Sequence, residues 1–470
     1  MFERPISRRQ ALAGLVALGA GAALGAVPGL PAPAVGLPMR LRRPGDRPRP
    51  DLPEGLDTLP RVEHIVVVMM ENHSFDNYLG TLGRGDGFDL DRHGHPRDAC
   101  PDDKGNLVRA FRMPSTCQLD HEPSNSWNAS HLALGRHRRN DGFVRASGPV
   151  AMGYWTREDL PFYHALARVF PVCDRWFASC LAPTYPNRKF LMAGTASGQV
   201  HTKLEEVGKA PPPNGTIFER LDAHGISWRN YYTNLPQVAL FPPLASASGD
   251  KLVKVDQFFR DAAAGTLPGF ALVDPDFIGD GSEENNADVR VGEEFVARVV
   301  RAVMDGPGWS RTLLIWTYDE GGGYYDHVPP PRAIEPDATR PLITVPPDRP
   351  GDYDRYGFRV PAVIVSPYAR RHYVSHHVHD HTSVLKLLET KWNLPALTFR
   401  DANASNLLDS LDLRGPPRFL EPPRLPDASG RSDCVEGRPG RIPPRGAQVR
   451  AREALGRAER LRTGSTHAVA

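Results

Sequence analysis

Two apolar runs, each ending abruptly in acidic and amide residues, constrain this chain most. Val62-Glu63-His64-Ile65-Val66-Val67-Val68-Met69-Met70 is β-branched and apolar, and it stops at Glu71-Asn72-His73-Ser74-Phe75-Asp76. Arg311-Thr312-Leu313-Leu314-Ile315-Trp316-Thr317-Tyr318 repeats the pattern and stops at Asp319-Glu320-Gly321-Gly322-Gly323. Runs of this length without polar alternation predict strands buried on both faces, as in parallel sheets. Open α/β sheets present ligand groups at such strand ends. Val360 to Ser366 predicts a third buried strand, ending at Pro367. Between the first and second of these runs lies helical spacing: residues 295, 296, 299, 300 and 303 are apolar within Gly292 to Met304. Thr382 to Trp392 predicts another helix, with Asp380 or His381 at its start. The expected fold is a three-layer α/β sandwich, a mainly parallel central sheet flanked by helices.

The 470 residues suit one large catalytic domain with tails. Ser7-Arg8-Arg9-Gln10-Ala11-Leu12, the apolar stretch Ala11 to Leu30 and the small residues of Ala32-Pro33-Ala34 resemble a twin-arginine (Tat) export signal over residues 1–34. The expected location is periplasmic or secreted, and the export machinery is an expected partner. Residues 35–60 read as an exposed Pro/Arg-rich linker, 61–415 as the catalytic domain, and 416–470 as a mostly disordered tail with one short helix from Ala447 to Arg460. No later segment has about 18 uninterrupted apolar residues, so no membrane span is expected in the mature chain. Lys+Arg total 57 against 55 Asp+Glu, which gives no argument for nucleic acid as a partner. Five cysteines form no CxxC pair, which disfavours a structural zinc site. Cys100–Cys117 and Cys173–Cys180 are possible disulfides.

The two strand-end pairs, Glu71 with Asn72 and Asp319 with Glu320, supply four oxygen donors suited to a hard or borderline divalent cation. Either pair alone is also what an ordinary strand-end turn looks like. Thr184 lies between prolines in Ala182-Pro183-Thr184-Tyr185-Pro186-Asn187-Arg188, where a hydroxyl is held stiffly, although a Pro-fixed turn needs no function. Asn187 and Arg188 are donors for phosphoryl oxygens. Asp120-His121, Asp326-His327 and His379-Asp380-His381 each set an imidazole beside a carboxylate, fit to protonate a leaving alkoxide or bind a phosphoryl oxygen. His372, His376 and His377 read as surface histidines. The glycines 321–323 lack a P-loop ending and read as a tight turn. No GxSxG elbow is present.

VVVMMENHSFDNYLGTL (66–82), MGYWTREDLPFYHALA (152–167), PTYPNR (183–188), TYDEGGGYYDHVPPP (317–331) and HDHTSVLKLLE (379–389) together resemble the bacterial phospholipase C/acid phosphatase family of phosphoesterases, within the alkaline-phosphatase-like superfamily. The resemblance runs in order over residues 61 to about 400. It implies a divalent cation held by Glu71, Asn72, Asp319 and Glu320. It implies Thr184 as a nucleophile that forms a phospho-enzyme, with His121 and His327 lining the phosphate pocket. Asn187, Arg188 and His381 are the expected substrate-binding groups. Many members carry a His-Pro element where this chain has Glu283-Glu284-Asn285-Asn286-Ala287-Asp288, and Phe177 stands where some have His. The expectation is an exported phosphoesterase, phospholipase C-like or an acid phosphatase. The rival is an exported binding protein that has lost turnover. A phospholipid substrate needs an apolar lip, for which Trp127, Tyr154, Trp155 and Tyr185 are the aromatic candidates.

Overall fold

The computed structural model describes residues 41–118, 123–284 and 287–428. The predicted signal segment, His121, Asn285, Asn286 and the Ala447–Arg460 helix lie outside the described residues. An eight-stranded sheet organises the rest. In chain order its strands are β1 (His64–Met70), β2 (Val172–Cys173), β3 (Trp228–Tyr232), β4 (Leu252–Lys254), β5 (Phe270–Asp274), β6 (Thr312–Tyr318), β7 (Ala362–Val365) and β8 (Val374–Ser375). Across the sheet they run β8-β2-β7-β6-β1-β5-β3-β4. β1 pairs in parallel with both β6 and β5, and the parallel run continues through β3 and β4. β7 runs antiparallel to both of its neighbours. Its C-terminal Pro367 end therefore faces away from the polar ends of β1 and β6, and the third predicted strand supplies no site residue.

Every residue of β1, β5, β6 and β7 is buried, so these strands are covered on both faces. That is what their unbroken apolar sequences require. One group of helices comprises α1 (Phe75–Leu79), α2 (Pro161–Val169), α3 (Thr184–Ala193), α4 (Val255–Ala264), α5 (Val289–Asp305) and α6 (Thr382–Trp392). α5 packs on α2, α4 and β6, while α6 packs on α3. The sequence places α5's apolar stripe as expected: Val296, Val299, Val300 and Val303 are buried. The helix starts earlier than its periodicity shows because Asp288 caps it, its side chain accepting from the Arg290 amide. The architecture is the expected α/β one, a large and mainly parallel sheet flanked by helices.

Three readings change on contact with the structure. Residues 42–60 are laced to the domain rather than loose: Asn393 Nδ2 donates to the carbonyls of Arg49, Leu52 and Pro53, and Lys391 Nζ pairs with Asp57 at 2.9 Å. Residues just past 415 also pack, with Phe419 buried against Phe170 and its carbonyl accepting from Trp309 Nε1 at 2.8 Å. Cys100, Cys173 and Cys180 are buried free thiols, so neither anticipated disulfide forms. Among the described residues no helix is long and apolar enough to cross a membrane.

Candidate active site

The register of β1 against β6 builds the site. Met70 lies opposite Tyr318, so Glu71-Asn72 and Asp319-Glu320 leave the sheet side by side. The Asp319 amide donates to Met70 O at 3.2 Å, and the Asn72 amide donates to Asp319 Oδ1 at 3.2 Å. Asn72 turns the chain at φ 71°, a left-handed conformation that Asn tolerates better than most side chains. Gly322 must be glycine. Its φ is +63°, and a Cβ there would sit 1.9 Å from the Asn72 carbonyl oxygen.

Thr184 arrives from a different layer. It is the first residue of α3, capped by Pro183, so the stiff Pro-x-Pro segment is a helix start rather than an isolated turn. Its Oγ1 donates to Asn72 Oδ1 at 3.3 Å. The amino end of a ten-residue helix carries positive partial charge and free amides, which favours an anionic group at Thr184.

The four predicted cation ligands converge, and each is buried. Asn72's amide has two settings. With Oδ1 toward the carboxylates, acceptors crowd together at 2.7 Å from Glu320 Oε1 and 3.3 Å from Asp319 Oδ1, and a cation or a proton on a carboxyl relieves them. Turned over, Nδ2 donates to those same two oxygens and closes the cluster without a cation. The carboxyls themselves register a shortage of positive charge. Burial raises Glu71 to about 8, with Arg188 opposing and the Asp319 and Glu284 charges adding to the rise. Burial raises Asp319 against the pull of Arg188, and burial with the Asp319 charge raises Glu320 well above the carboxylate range. An all-oxygen set with three carboxyls fits a hard divalent cation.

Three predicted substrate binders do other work. Asn187 is fully buried, and its Nδ2 donates to Ala182 O at 2.6 Å and Pro183 O at 3.2 Å while Oδ1 accepts from the Cys180 amide at 3.1 Å. It shapes the loop that presents Thr184 and offers nothing to a ligand. Arg188 pairs with Asp319 Oδ2 at 3.2 Å and Glu71 Oε1 at 3.5 Å, and donates to Met70 O at 3.0 Å. It partly neutralises the carboxyl cluster from behind. His381 is buried, with Nε2 against Asp319 O at 2.6 Å and Nδ1 accepting from Trp176 Nε1 at 3.4 Å. Burial lowers it to about 4, so it is a neutral prop for the end of β6.

His327 stands in a second charged cluster. Nδ1 meets Asp76 Oδ2 at 2.7 Å and Nε2 meets Asp86 Oδ1 at 3.2 Å. Burial opposes its charge, but the hydrogen bond and charge of Asp76, joined by Asp326, raise it to about 9. Both ring nitrogens are engaged, so His327 has no free N–H for a leaving group, contrary to the sequence expectation. Asp76, Asp326 and His327 lie close enough together to hold a metal. Fully buried Arg359 already supplies the cation there, at 2.8 Å from Asp326 Oδ1 and 3.1 Å from Asp76 Oδ1. Sequence reasoning missed Arg359 and Asn125, whose Nδ2 donates to Glu320 Oε1 at 2.7 Å. Neither carries a local signal; Asp76 did, at the end of the first polar cluster.

The Phosphoesterase family model matches residues 62–395, spanning every element just described. The chain belongs to the Phosphoesterase family. This phosphoesterase is 30% identical to phospholipase C B of Mycobacterium tuberculosis over 80% of its own length and 83% of the relative's. It is 32% identical to non-specific phospholipase C1 of Arabidopsis thaliana, covering 78% of this chain and 74% of that one. Among solved structures it is similar to a protein in the alkaline phosphatase superfamily from Vibrio parahaemolyticus, with TM-score 0.41 and 10% identity over 80% of this chain and 75% of that chain. Its family and its relatives make it a hydrolase acting on phosphoric esters.

Proposed function

We propose that this phosphoesterase is an exported, metal-dependent, phospholipase C-like enzyme that works through a phospho-threonine intermediate. The observation that carries the reading is the meeting of Thr184 Oγ1 with Asn72 at the centre of Glu71, Asp319 and Glu320. A divalent cation among those four residues would lower the pKa of the threonine hydroxyl and offset phosphoryl charge. The chain's own residues do the rest. α3 aims its amino end at the phosphoryl group, and Asn187 and Arg188 fix Thr184 and the carboxyls in place. Thr184 Oγ1 bonds to phosphorus and releases its proton to solvent as the bond from phosphorus to the leaving alcohol oxygen breaks. Water then attacks phosphorus, the bond to Oγ1 breaks, and the threonine hydroxyl is restored. With His327 committed to two carboxylates, protonation of the leaving alcohol falls to His121.

A lipid substrate is favoured by the rim. Trp127, Tyr154 and Trp155 are core residues and form no lip. Phe277, however, lies under the Arg188 guanidinium at 4.6 Å, and its loop is pinned to Asn234, whose Oδ1 accepts from the Phe277 and Leu235 amides. This pairing leaves Leu235 52% and Ile278 54% exposed on the loops that flank Phe277. Export rests on residues 1–34 and is tested by replacing Arg8 and Arg9 with Lys and following where the protein accumulates.

The deciding test is hydrolysis of p-nitrophenyl phosphorylcholine and p-nitrophenyl phosphate by the purified mature protein, with and without chelator. Chelator-sensitive cleavage with preference for the choline ester is expected; preference for the monoester would make it an acid phosphatase. Thr184→Ala is expected to lower kcat by about a thousandfold or more with the fold intact. Near-normal turnover in that variant ends the nucleophile assignment.

A further inference from the structure

Against α3 at Lys189, a cavity of about 140 Å³ is lined by Lys189, Ser197, Gln199, Glu206 and Lys209. Two of its buried polar atoms lack partners. Lys189 is only 2% exposed, its Nζ lies 5.8 Å over the Phe241 ring, and the Glu206 charge on the same wall favours its ammonium without closing to an ion pair. The Ser197 hydroxyl and Gln199 Oε1 are buried without a hydrogen bond. Such groups are ordinarily satisfied, so two at one cavity beside a buried lysine mark a place built for a ligand. Ser197 also holds φ 51°, an uncommon conformation for serine, which turns the chain next to Gly198 at φ +84°.

The unmet groups specify what binds. Lys189 and Lys209 call for negatively charged oxygen. Gln199 calls for a donor, because its Nε2 is already committed to His201 O at 2.8 Å and so fixes Oε1 as the atom facing the need. Glu206 accepts from His201 Nδ1 at 3.0 Å and is another acceptor on the wall. The ligand must therefore carry anionic oxygens and an O–H on one small centre. Hydrogen phosphate does so near neutral pH, whereas sulfate and simple carboxylates carry no proton there. We propose that this cavity is a second, non-catalytic site for the free hydrogen phosphate ion, held by Lys189, Lys209 and Ser197 with its P–OH donated to Gln199. Burial lowers the Lys189 ammonium to about 8, a penalty that a bound anion offsets. The site does not depend on the catalytic reading, since none of its groups touches the carboxyl cluster.

Isothermal titration of the full mature chain with inorganic phosphate, glycerol 3-phosphate and sulfate tests the assignment. Phosphate is expected to bind at least tenfold more weakly in Lys189→Met and in Lys209→Met, and sulfate at least tenfold more weakly than phosphate in the parent. Phosphate held at the Thr184 centre is recognised by its persistence in both variants. Lys209 is exposed, so Lys209→Met keeps the test open should Lys189→Met fold poorly. Glycerol 3-phosphate, whose phosphate has a second pKa of about 6 and so has largely lost its P–OH near neutral pH, is expected to bind at least tenfold more weakly than phosphate; binding as tight as phosphate overturns the P–OH contact to Gln199. Unchanged phosphate binding in the folded lysine variants overturns the proposal. So does sulfate binding equal to phosphate, or a phosphate-soaked crystal showing only water in the cavity.

Discussion

Thr184 and its neighbours show how far one residue's chemistry can be read before its surroundings are known. Glu71, Asn72, Asp319 and Glu320 were legible because each pair ends an unbroken apolar strand. Asn187, Arg188 and His381 were legible as polar residues near the chemistry but not in their roles, since those depend on which backbone groups need a partner. His327 is the sharpest case. An Asp-His pair in sequence suggests a proton donor, yet the ring is held between Asp76 and Asp86 beside Arg359. Its value near 9 lies above the ordinary 6.5, so the fold favours the imidazolium. The stability this contributes is fully present below about pH 6.5 and is lost as pH rises through about 9. Its size is on the order of 3 kcal/mol. His327→Gln is expected to remove that fall, read as the difference between the two proteins in urea unfolding from pH 6 to 9.5. An unchanged slope would show that the histidine does not titrate with the fold.

Between residues and the whole lie the turns that hold two strand ends together. β1, β6 and α5 follow from apolar run length and helical spacing, which is why their positions were readable to within a few residues. The antiparallel setting of β7 was not, because Val360 to Ser366 is equally apolar in either direction and only its neighbours decide. The glycine turn after β6 is more informative. Gly323 also leaves no room, its missing Cβ lying 2.6 Å from the Ser124 carbonyl oxygen. Gly322→Ala must push the Asn72 carbonyl away and strain a left-handed backbone. A loss of roughly 1–3 kcal/mol of stability is expected, with a larger fall in kcat than in KM because Asn72 carries the contact to Thr184. Thermal unfolding and steady-state kinetics on the soluble choline ester measure both. Wild-type kcat in this variant would mean the turn tolerates movement that the geometry forbids.

For the whole molecule, the proposed lipid substrate raises the question of how carboxyls sunk at the end of a sheet would meet a group embedded in a lipid surface. Net charge gives little help, being only +2. The fold's answer is local. β3 and β5 run parallel and adjacent, so the loops that follow them emerge together, and Asn234 and Asp276 bind one loop to the other. Leu235 and Ile278 are the outward side chains of that pair, with Phe277 turned inward onto Arg188. No periodicity could announce them, because each sits alone in a polar loop and only the strand order makes them neighbours. Burying two such side chains in a lipid surface contributes about 1.5–3 kcal/mol each. The double variant Leu235→Ser with Ile278→Ser is therefore expected to cut turnover on phosphatidylcholine vesicles at least tenfold. Hydrolysis of soluble p-nitrophenyl phosphorylcholine is expected to stay within about twofold, since neither residue touches Thr184 or the carboxyl cluster. Equal losses on both substrates would make the lip part of the site's framework, and no loss on vesicles would remove the case for an interfacial enzyme.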